Sequence, residues 1–203
     1  MRFVRTFAAL AVVAAPLFGG LAAEPAHALP PIDPGIVIPP ILPTLPPLYF
    51  CNGSLATIVG TSGDDVLIGT AGHDVIVGLG GNDQIWGGAG RDTICAGHGD
   101  DMIAGDFGRD YIDGQAGSDV VGYGFDPAPI SANLMYNRVI SAQGTDTVMR
   151  VESVFGTAYN DRMVGNRFDN RLWSSGGNDS IDGRAGFDGC GVGVSHNCEY
   201  LYH

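Results

Sequence analysis

The chain has 203 residues, which allows one domain with appendages but not a large enzyme with an accessory module. Its formal net charge is -12, all ten basic residues are Arg, and no basic cluster occurs, so nucleic acid is excluded as a partner. Of the 22 acidic residues, 19 are Asp, which favours turns and oxygen-ligand metal sites over helices. The 32 glycines also disfavour long helices.

Residues 1–28 are predicted to be a signal peptide. Arg2 and Arg5 precede an uncharged apolar run, and Ala26-His27-Ala28 provides a small-x-small site for cleavage after Ala28. A membrane anchor is the competing interpretation, but the apolar run of 17 residues contains Pro and Gly and is short for a span. We therefore expect a secreted, extracellular protein with no membrane span after cleavage.

Residues 29–48 hold eight prolines in twenty positions. Proline cannot donate a main-chain hydrogen bond, so this composition predicts an extended, polyproline-like linker. Its Ile, Val and Leu residues leave the alternative that it lies along the folded domain.

Residues 49–203 are predicted to form one domain, which is dominated by a nine-residue repeat. Seven units follow one another without a gap over residues 60–122, from GTSGDDVLI to GQAGSDVVG. In each unit position four is Gly, position six is Asp and position eight is aliphatic. A weaker block covers residues 156–191, where Asn170 replaces one Asp. Residues 123–155 show no ligand spacing and are interpreted as a non-repeat insert of longer strands that continue or flank the repeats.

A short, fixed period with one aliphatic residue per unit is typical of a solenoid, in which neighbouring units bury each other's apolar face. Six turn-forming residues followed by three alternating ones predict a loop and a very short strand whose central residue points inward. Disorder is the alternative for a chain rich in Gly and Asp, but it does not explain the unbroken aliphatic column at position eight. We therefore predict an all-β solenoid.

The units resemble the RTX nonapeptide repeats of hemolysin-type bacterial calcium-binding proteins, written G-G-x-G-x-D-x-U-x, and the unit 87–95 (GGAGRDTIC) fits every position. The resemblance implies a parallel β-roll in which two units make one coil and several Ca²⁺ ions lie between loops stacked on the same side. The carboxylates that it implies as metal ligands are Asp65, Asp74, Asp83, Asp92, Asp101, Asp110, Asp119, Asp161, Asp179 and Asp188. The glycines whose carbonyl groups it adds are Gly72, Gly81, Gly90, Gly99 and Gly108. It also stacks Asn170 with Asp188.

The charge pattern supports calcium independently of that resemblance. Stacked strands lie about 4.8 Å apart. At an effective dielectric of about 20, neighbouring carboxylates in a stack therefore repel by about 3 kcal/mol per pair. A hard divalent cation that prefers many oxygen ligands reverses this repulsion. The sequence thus predicts repeats that are largely unfolded without calcium.

Four cysteines, Cys51, Cys95, Cys190 and Cys198, allow three pairings, and no C-x-x-C motif occurs. We favour Cys190 with Cys198, which closes the C-terminal tail, and Cys51 with Cys95, which ties an entry strand onto the roll. Both bridges would hold capping segments near the open ends of the solenoid.

Two functions are compatible with these features. The first is a secreted calcium-binding repeat protein with a structural or adhesive role at or beyond the cell surface, where a polysaccharide or a protein is the partner. The alternative is a small secreted carbohydrate-active or hydrolytic enzyme, in which Trp86, Tyr111 and Trp173 would stack sugars. No G-x-S-x-G, H-E-x-x-H or P-loop motif occurs, so no catalytic residue is assigned.

Overall fold

The computed structural model describes residues 47–191 and 193–201. The predicted signal peptide, and all of the Pro-rich linker except residues 47 and 48, lie outside the described residues. The described part is built from short β-strands and one 3-10 turn, and it contains no α-helix. Within it, no helix has the length and apolar character needed to cross a membrane.

The strands before the insert follow one another every few residues. They are β1 Phe50–Cys51, β2 Ser54–Leu55, β3 Ile58–Val59, β4 Val66–Ile68, β5 Val75–Gly80, β6 Gln84–Trp86, β7 Ala89–Gly90, β8 Thr93–His98, β9 Met102–Ala104, β10 Phe107–Gly108, β11 Tyr111–Ala116 and β12 Val120–Gly122. The strands that follow are β13 Ser131–Asn133, β14 Arg138–Ile140, β15 Thr145–Met149, β16 Ser153–Phe155, β17 Arg162–Val164, β18 Arg171–Trp173, β19 Asp179–Asp182, β20 Gly189–Cys190, β21 Gly193–His196 and β22 Tyr200–Leu201. The 3-10 turn Leu134–Tyr136 lies between β13 and β14.

Most of the strands stack into two sheets in which most neighbours are parallel. The ten-stranded sheet has the order β21-β19-β17-β13-β14-β15-β11-β8-β5-β3, and the eight-stranded sheet has the order β22-β20-β18-β16-β12-β9-β6-β4. Ile76 pairs with Ile94 in the first sheet, and Ile85 pairs with Ile103 in the second. In both sheets the paired residues are two nonapeptides apart in the sequence, so two units make one coil. The predicted parallel β-roll is confirmed, with about seven coils.

The core is the predicted column of position-eight side chains. In the first block these residues are 8 % exposed or less: Leu67, Ile76, Ile85, Ile94, Ile103, Ile112 and Val121. In the eight-stranded sheet, β4, β6 and β9 each bury only their middle residue, as the alternation predicts. Each strand therefore contributes little more than one apolar side chain to the interior.

Three strands of the ten-stranded sheet are longer than predicted. β5, β8 and β11 each have six residues, because they continue into the first residues of the following Gly-rich loop. Leu79 pairs with Gly97 there, and Gly97 pairs with Gln115. Since successive loops repeat in register, their main-chain groups can hydrogen-bond from coil to coil.

Strands of the insert lie within both sheets. β13, β14 and β15 join the ten-stranded sheet between β17 and β11, and β14 is antiparallel to both of its neighbours. β16 joins the eight-stranded sheet between β12 and β18. The insert therefore continues the roll through a local hairpin.

The two predicted disulfides, Cys51–Cys95 and Cys190–Cys198, are both present. β1 and β2 form an antiparallel hairpin, and Cys51 is buried in a small cluster with Val77 and Cys95. The bridge to Cys95 thus fixes this hairpin to β8. The second bridge links β20 to the C-terminal tail.

Candidate metal centre in the carboxylate ladders

Position six of each unit lies where the Gly-rich loop becomes a strand, and the side chains at this position stack from coil to coil. At five steps within the first block, the N–H group of one Asp donates to Oδ1 of the Asp 18 residues later, at 2.8–3.0 Å. The first ladder contains Asp65, Asp83, Asp101 and Asp119, and the second contains Asp74, Asp92 and Asp110. The structure thus brings these predicted residues together, with two units per coil as the resemblance implies.

The weaker repeat block forms the same contacts. Asp161 N–H donates to Oδ1 of Asp179 at 2.9 Å, and Asn170 N–H donates to Oδ1 of Asp188 at 2.8 Å. At the C-terminal end, Asp188 N–H donates to Oε2 of Glu199. The expected stacking of Asn170 with Asp188 is therefore present, and Asp161 stacks with Asp179 in the same way.

Sequence reasoning missed the acidic residues that carry both ladders across the insert. Asp110 N–H donates to Oδ1 of Asp146 at 2.9 Å, and Asp119 N–H donates to Oε2 of Glu152 at 3.0 Å. The view that residues 123–155 lack ligand spacing is therefore wrong for this part. A signal was present, since Gly144, Asp146 and Val148 have the spacing of positions four, six and eight. Glu152 has no such signal, because Glu replaces Asp and no Gly lies two residues before it.

Six of these carboxylates each bury an oxygen that has no hydrogen-bond partner. This atom is Oδ2 in every case, and the aspartates are at most 2 % exposed: Asp83, Asp92, Asp101, Asp110, Asp119 and Asp188. An ionised oxygen that is buried without a partner is strongly unfavourable. The arrangement therefore requires a proton or a cation.

The pKa values of these carboxyl groups reflect their burial. Loss of solvation is the largest cause and raises the pKa of Asp101 to about 6 and that of Asp110 and Asp119 to about 7. Hydrogen bonds from main-chain N–H groups lower these pKa values, while neighbouring carboxylates in the ladder raise them further. The charged form is thus disfavoured until a cation approaches.

The space beside these oxygens fits a cation with oxygen ligands. A Cβ atom built on Gly87 would lie 2.7 Å from Oδ2 of Asp92 and 2.8 Å from the carbonyl oxygen of Gly105 on the next coil. A carboxylate oxygen and a carbonyl oxygen thus converge where glycine leaves room. No cluster of three or more His, Cys, Asp or Glu residues that could hold a metal occurs in the described ranges, and main-chain carbonyls such as that of Gly105 are further oxygen donors beside the ladders.

The predicted glycine carbonyls also lie between coils. Each faces the glycine at position four of the next coil so closely that a Cβ atom there would collide with it. The carbonyls belong to Gly72, Gly81, Gly90, Gly99 and Gly108, and the glycines that they face are Gly90, Gly99, Gly108, Gly117 and Gly144.

Comparison with known families identifies the repeats. A family model described as the RTX calcium-binding nonapeptide repeat (4 copies) matches residues 59–94, 96–126 and 155–189. The chain belongs to this family. The RTX repeats make it a calcium-binding repeat protein, in agreement with the donor set of the ladders. No curated protein matches the chain.

The RTX roll also carries an apolar groove of about 630 Å³ on the eight-stranded sheet. Trp86 on β6 lies on one side, and the Phe155 and Trp173 rings, 5.7 Å apart, lie on the other. Ala104 and Gly122 on β9 and β12 lie between them. The lining also includes Tyr123, Phe125 and the polar residues Asp106, Asp126, Gln143 and Ser175.

Only two of the three aromatic residues singled out in the sequence share this groove. Tyr111 lies on β11 in the ten-stranded sheet, where its hydroxyl group donates to Oδ2 of Asp113 at 3.3 Å. Tyr111 is therefore separate from Trp86 and Trp173, which both lie on the eight-stranded sheet.

Proposed function

We propose that this chain is a secreted calcium-binding protein whose β-roll folds when Ca²⁺ binds, and that it has an adhesive role at or beyond the cell surface. The observation that carries the calcium-gated part is the set of six buried, unpartnered Oδ2 atoms in the ladders. The adhesive part is supported by the aromatic groove.

Calcium dependence follows from the balance between apolar burial and charge repulsion. Each coil buries about two aliphatic side chains, one from each sheet. Adjacent ladder carboxylates repel by about 3 kcal/mol per pair at an effective dielectric of about 20. This repulsion offsets the ~1.5–3 kcal/mol that burial of one such side chain contributes. Divalent cations between the coils convert the repulsion into attraction, and a site filled at a hundredfold excess over its Kd adds about 2.7 kcal/mol.

The donor set favours calcium over other divalent ions. When bound, the ion supplies positive charge and accepts carboxylate and carbonyl oxygens in flexible geometry. Asp83, Asp92 and their ladder neighbours would hold it with carbonyl groups of the Gly-rich loops. Magnesium sheds water reluctantly, and zinc prefers His and Cys clusters.

Far-UV circular dichroism of the protein in chelator, and then in millimolar calcium, tests the folding proposal. We expect strand signal to appear with calcium and to stay low with the same concentration of magnesium. Identical spectra in chelator and in calcium would overturn the proposal. Secretion is tested separately by N-terminal sequencing of protein from the culture medium, which should begin at Leu29.

The groove is proposed to bind a neutral polysaccharide. Aromatic rings stack on the flat faces of sugar rings, and the polar lining residues can hydrogen-bond hydroxyl groups. The lining includes Asp106 and Asp126, and none of the residues that line it is basic, which disfavours anionic polymers. Retention of the calcium-loaded protein on neutral but not anionic polysaccharide gels would support this assignment.

Gly122 allows a sharp test of the groove. A Cβ atom built there would meet only the Ile103 carbonyl oxygen, at 3.9 Å, so Gly122→Leu can fill the floor of the groove without a main-chain collision. This variant and Trp86→Ala should lose retention, while the matched control Tyr111→Phe on the other sheet should keep it. Equal retention of all three would refute the groove, and release of soluble sugar would favour the enzyme alternative.

A further inference from the structure

The repeat units of the two blocks fall into two classes, according to whether the side-chain oxygen at position six accepts a hydrogen bond from its own unit. In three units the position-two residue is Thr, and its N–H group donates to Oδ2 of the same unit's Asp at 2.6–2.7 Å. These pairs are Thr61 with Asp65, Thr70 with Asp74 and Thr157 with Asp161. The Thr hydroxyl also donates to the same carboxylate, at 2.8–2.9 Å.

Two further units are capped from within in related ways. Asn166 N–H donates to Oδ1 of Asn170 at 2.7 Å, and the Ser174 hydroxyl donates to Oδ2 of Asp179. We call these five the capped units, with position-six residues Asp65, Asp74, Asp161, Asn170 and Asp179. Their side-chain oxygens obtain donors from their own loops.

The other six units, here called open, are those whose Oδ2 atom is buried without a partner. In each of them the position-two residue has a φ angle between +63° and +125°: Leu79, Gly88, Gly97, Asp106, Gln115 and Arg184. None of the five residues at position two of the capped units has a positive φ. The hydrogen bonding of the position-six oxygen and the φ angle at position two thus divide the eleven units of the two blocks into the same two groups.

The left-handed main chain explains the difference. It turns the position-two N–H group away from the carboxylate, so Oδ2 keeps no donor. Leu, Asp, Gln and Arg adopt this conformation at a cost that a compensating interaction must offset. A cation bound at Oδ2 would provide that interaction.

The sequence departure at Asn170 fits this division. An amide cannot replace a carboxylate as an anionic ligand, and this Asn occurs in a capped unit. In the open units position six is Asp throughout.

We infer that calcium binds through Oδ2 of the open units, which comprise residues 78–122 and 183–191, and that the capped units replace the ion with their own N–H and hydroxyl donors. This inference rests on the proposed calcium-gated folding and narrows it. The repeat pattern also predicts ligands in the capped units. In this inference these residues bind no ion, because donors of their own units satisfy the carboxylates: Asp65, Asp74, Asp161 and Asp179.

Asp74 and Asp92 provide a matched test, because they are consecutive members of one ladder and differ in class. Native mass spectrometry of the calcium-loaded full chain counts the ions, and calorimetric titration gives their affinity. We expect Asp92→Asn to lose at least one ion, while Asp74→Asn keeps the wild-type number and affinity.

The outcomes separate this inference from the proposed function. A wild-type protein that binds no calcium would overturn both. Calcium binding by the wild type together with loss of an ion in Asp74→Asn, or with no loss in Asp92→Asn, would overturn only the division into open and capped units.

Discussion

Truncation of one core side chain should change the calcium concentration at which the roll folds. Ile94 lies in β8, is fully buried, and pairs with Ile76 and Ile112 on the adjacent coils. Removal of a buried Ile side chain to Ala costs about 2–5 kcal/mol. In a fold that forms only with calcium, this loss must be recovered by a higher calcium concentration.

The size of the shift depends on how many ions bind in the same transition. If the six open units fill together, a loss of about 3.5 kcal/mol is shared among six binding steps and raises the calcium midpoint about threefold. If one ion were coupled to folding, the same loss would raise the midpoint roughly 400-fold. The shift thus reports the number of coupled ions.

The assay is a calcium titration of Ile94→Ala followed by far-UV circular dichroism. Val66→Ala is the matched control, because Val66 lies in strand β4 with 63 % of its surface exposed and should leave the midpoint unchanged. An unchanged midpoint for Ile94→Ala would refute the coupling between core packing and calcium.

Three further perturbations have defined outcomes. Burial raises the pKa of Asp119 to about 7 in the folded state, from an unfolded value near 4. Without calcium, the circular dichroism strand signal should therefore be strongest near pH 4 and fall as the pH rises through 7. A strand signal that increases over this pH range would contradict the prediction. Replacement of Cys51 and Cys95 by Ala opens a loop with a sequence separation of 44 and should lower the free energy of unfolding by about 4 kcal/mol. Urea unfolding with calcium present measures this loss, and an unchanged free energy of unfolding would show that the bridge is dispensable. Gly90→Ala should destabilise the roll by at least about 1–3 kcal/mol, because φ is +137° and Cβ would collide with a carbonyl of the previous coil. Gly63→Ala, whose Cβ has no neighbour nearer than 4.0 Å, is the control, and equal stability of the two variants would contradict the geometry.

The sequence was sufficient for the periodic part of this molecule. The aliphatic residue at position eight predicts the core column, because it depends only on alternation and stacking. The ladders follow from the family resemblance, which implies that two units make one coil. Of the three pairings that four cysteines allow, the one favoured from the sequence is present, and both of its bridges hold segments near the ends of the solenoid.

Other features depend on three-dimensional context. Asp146 was missed because its unit, residues 141–149, begins with Ser and lies within an irregular insert. Glu199 enters its ladder only because the C-terminal tail returns to β20. The open and capped classes differ in one peptide orientation at position two, where Leu79 and Gln115 adopt a positive φ that their residue types do not predict.

A crystal structure of the calcium-loaded protein, with the ions located by anomalous scattering, tests the central claim most directly. The account predicts calcium between successive coils, within bonding distance of Oδ2 in the open units at Asp83, Asp92 and Asp101. A fully stacked roll in ample calcium whose loops at these residues held no ion would contradict it.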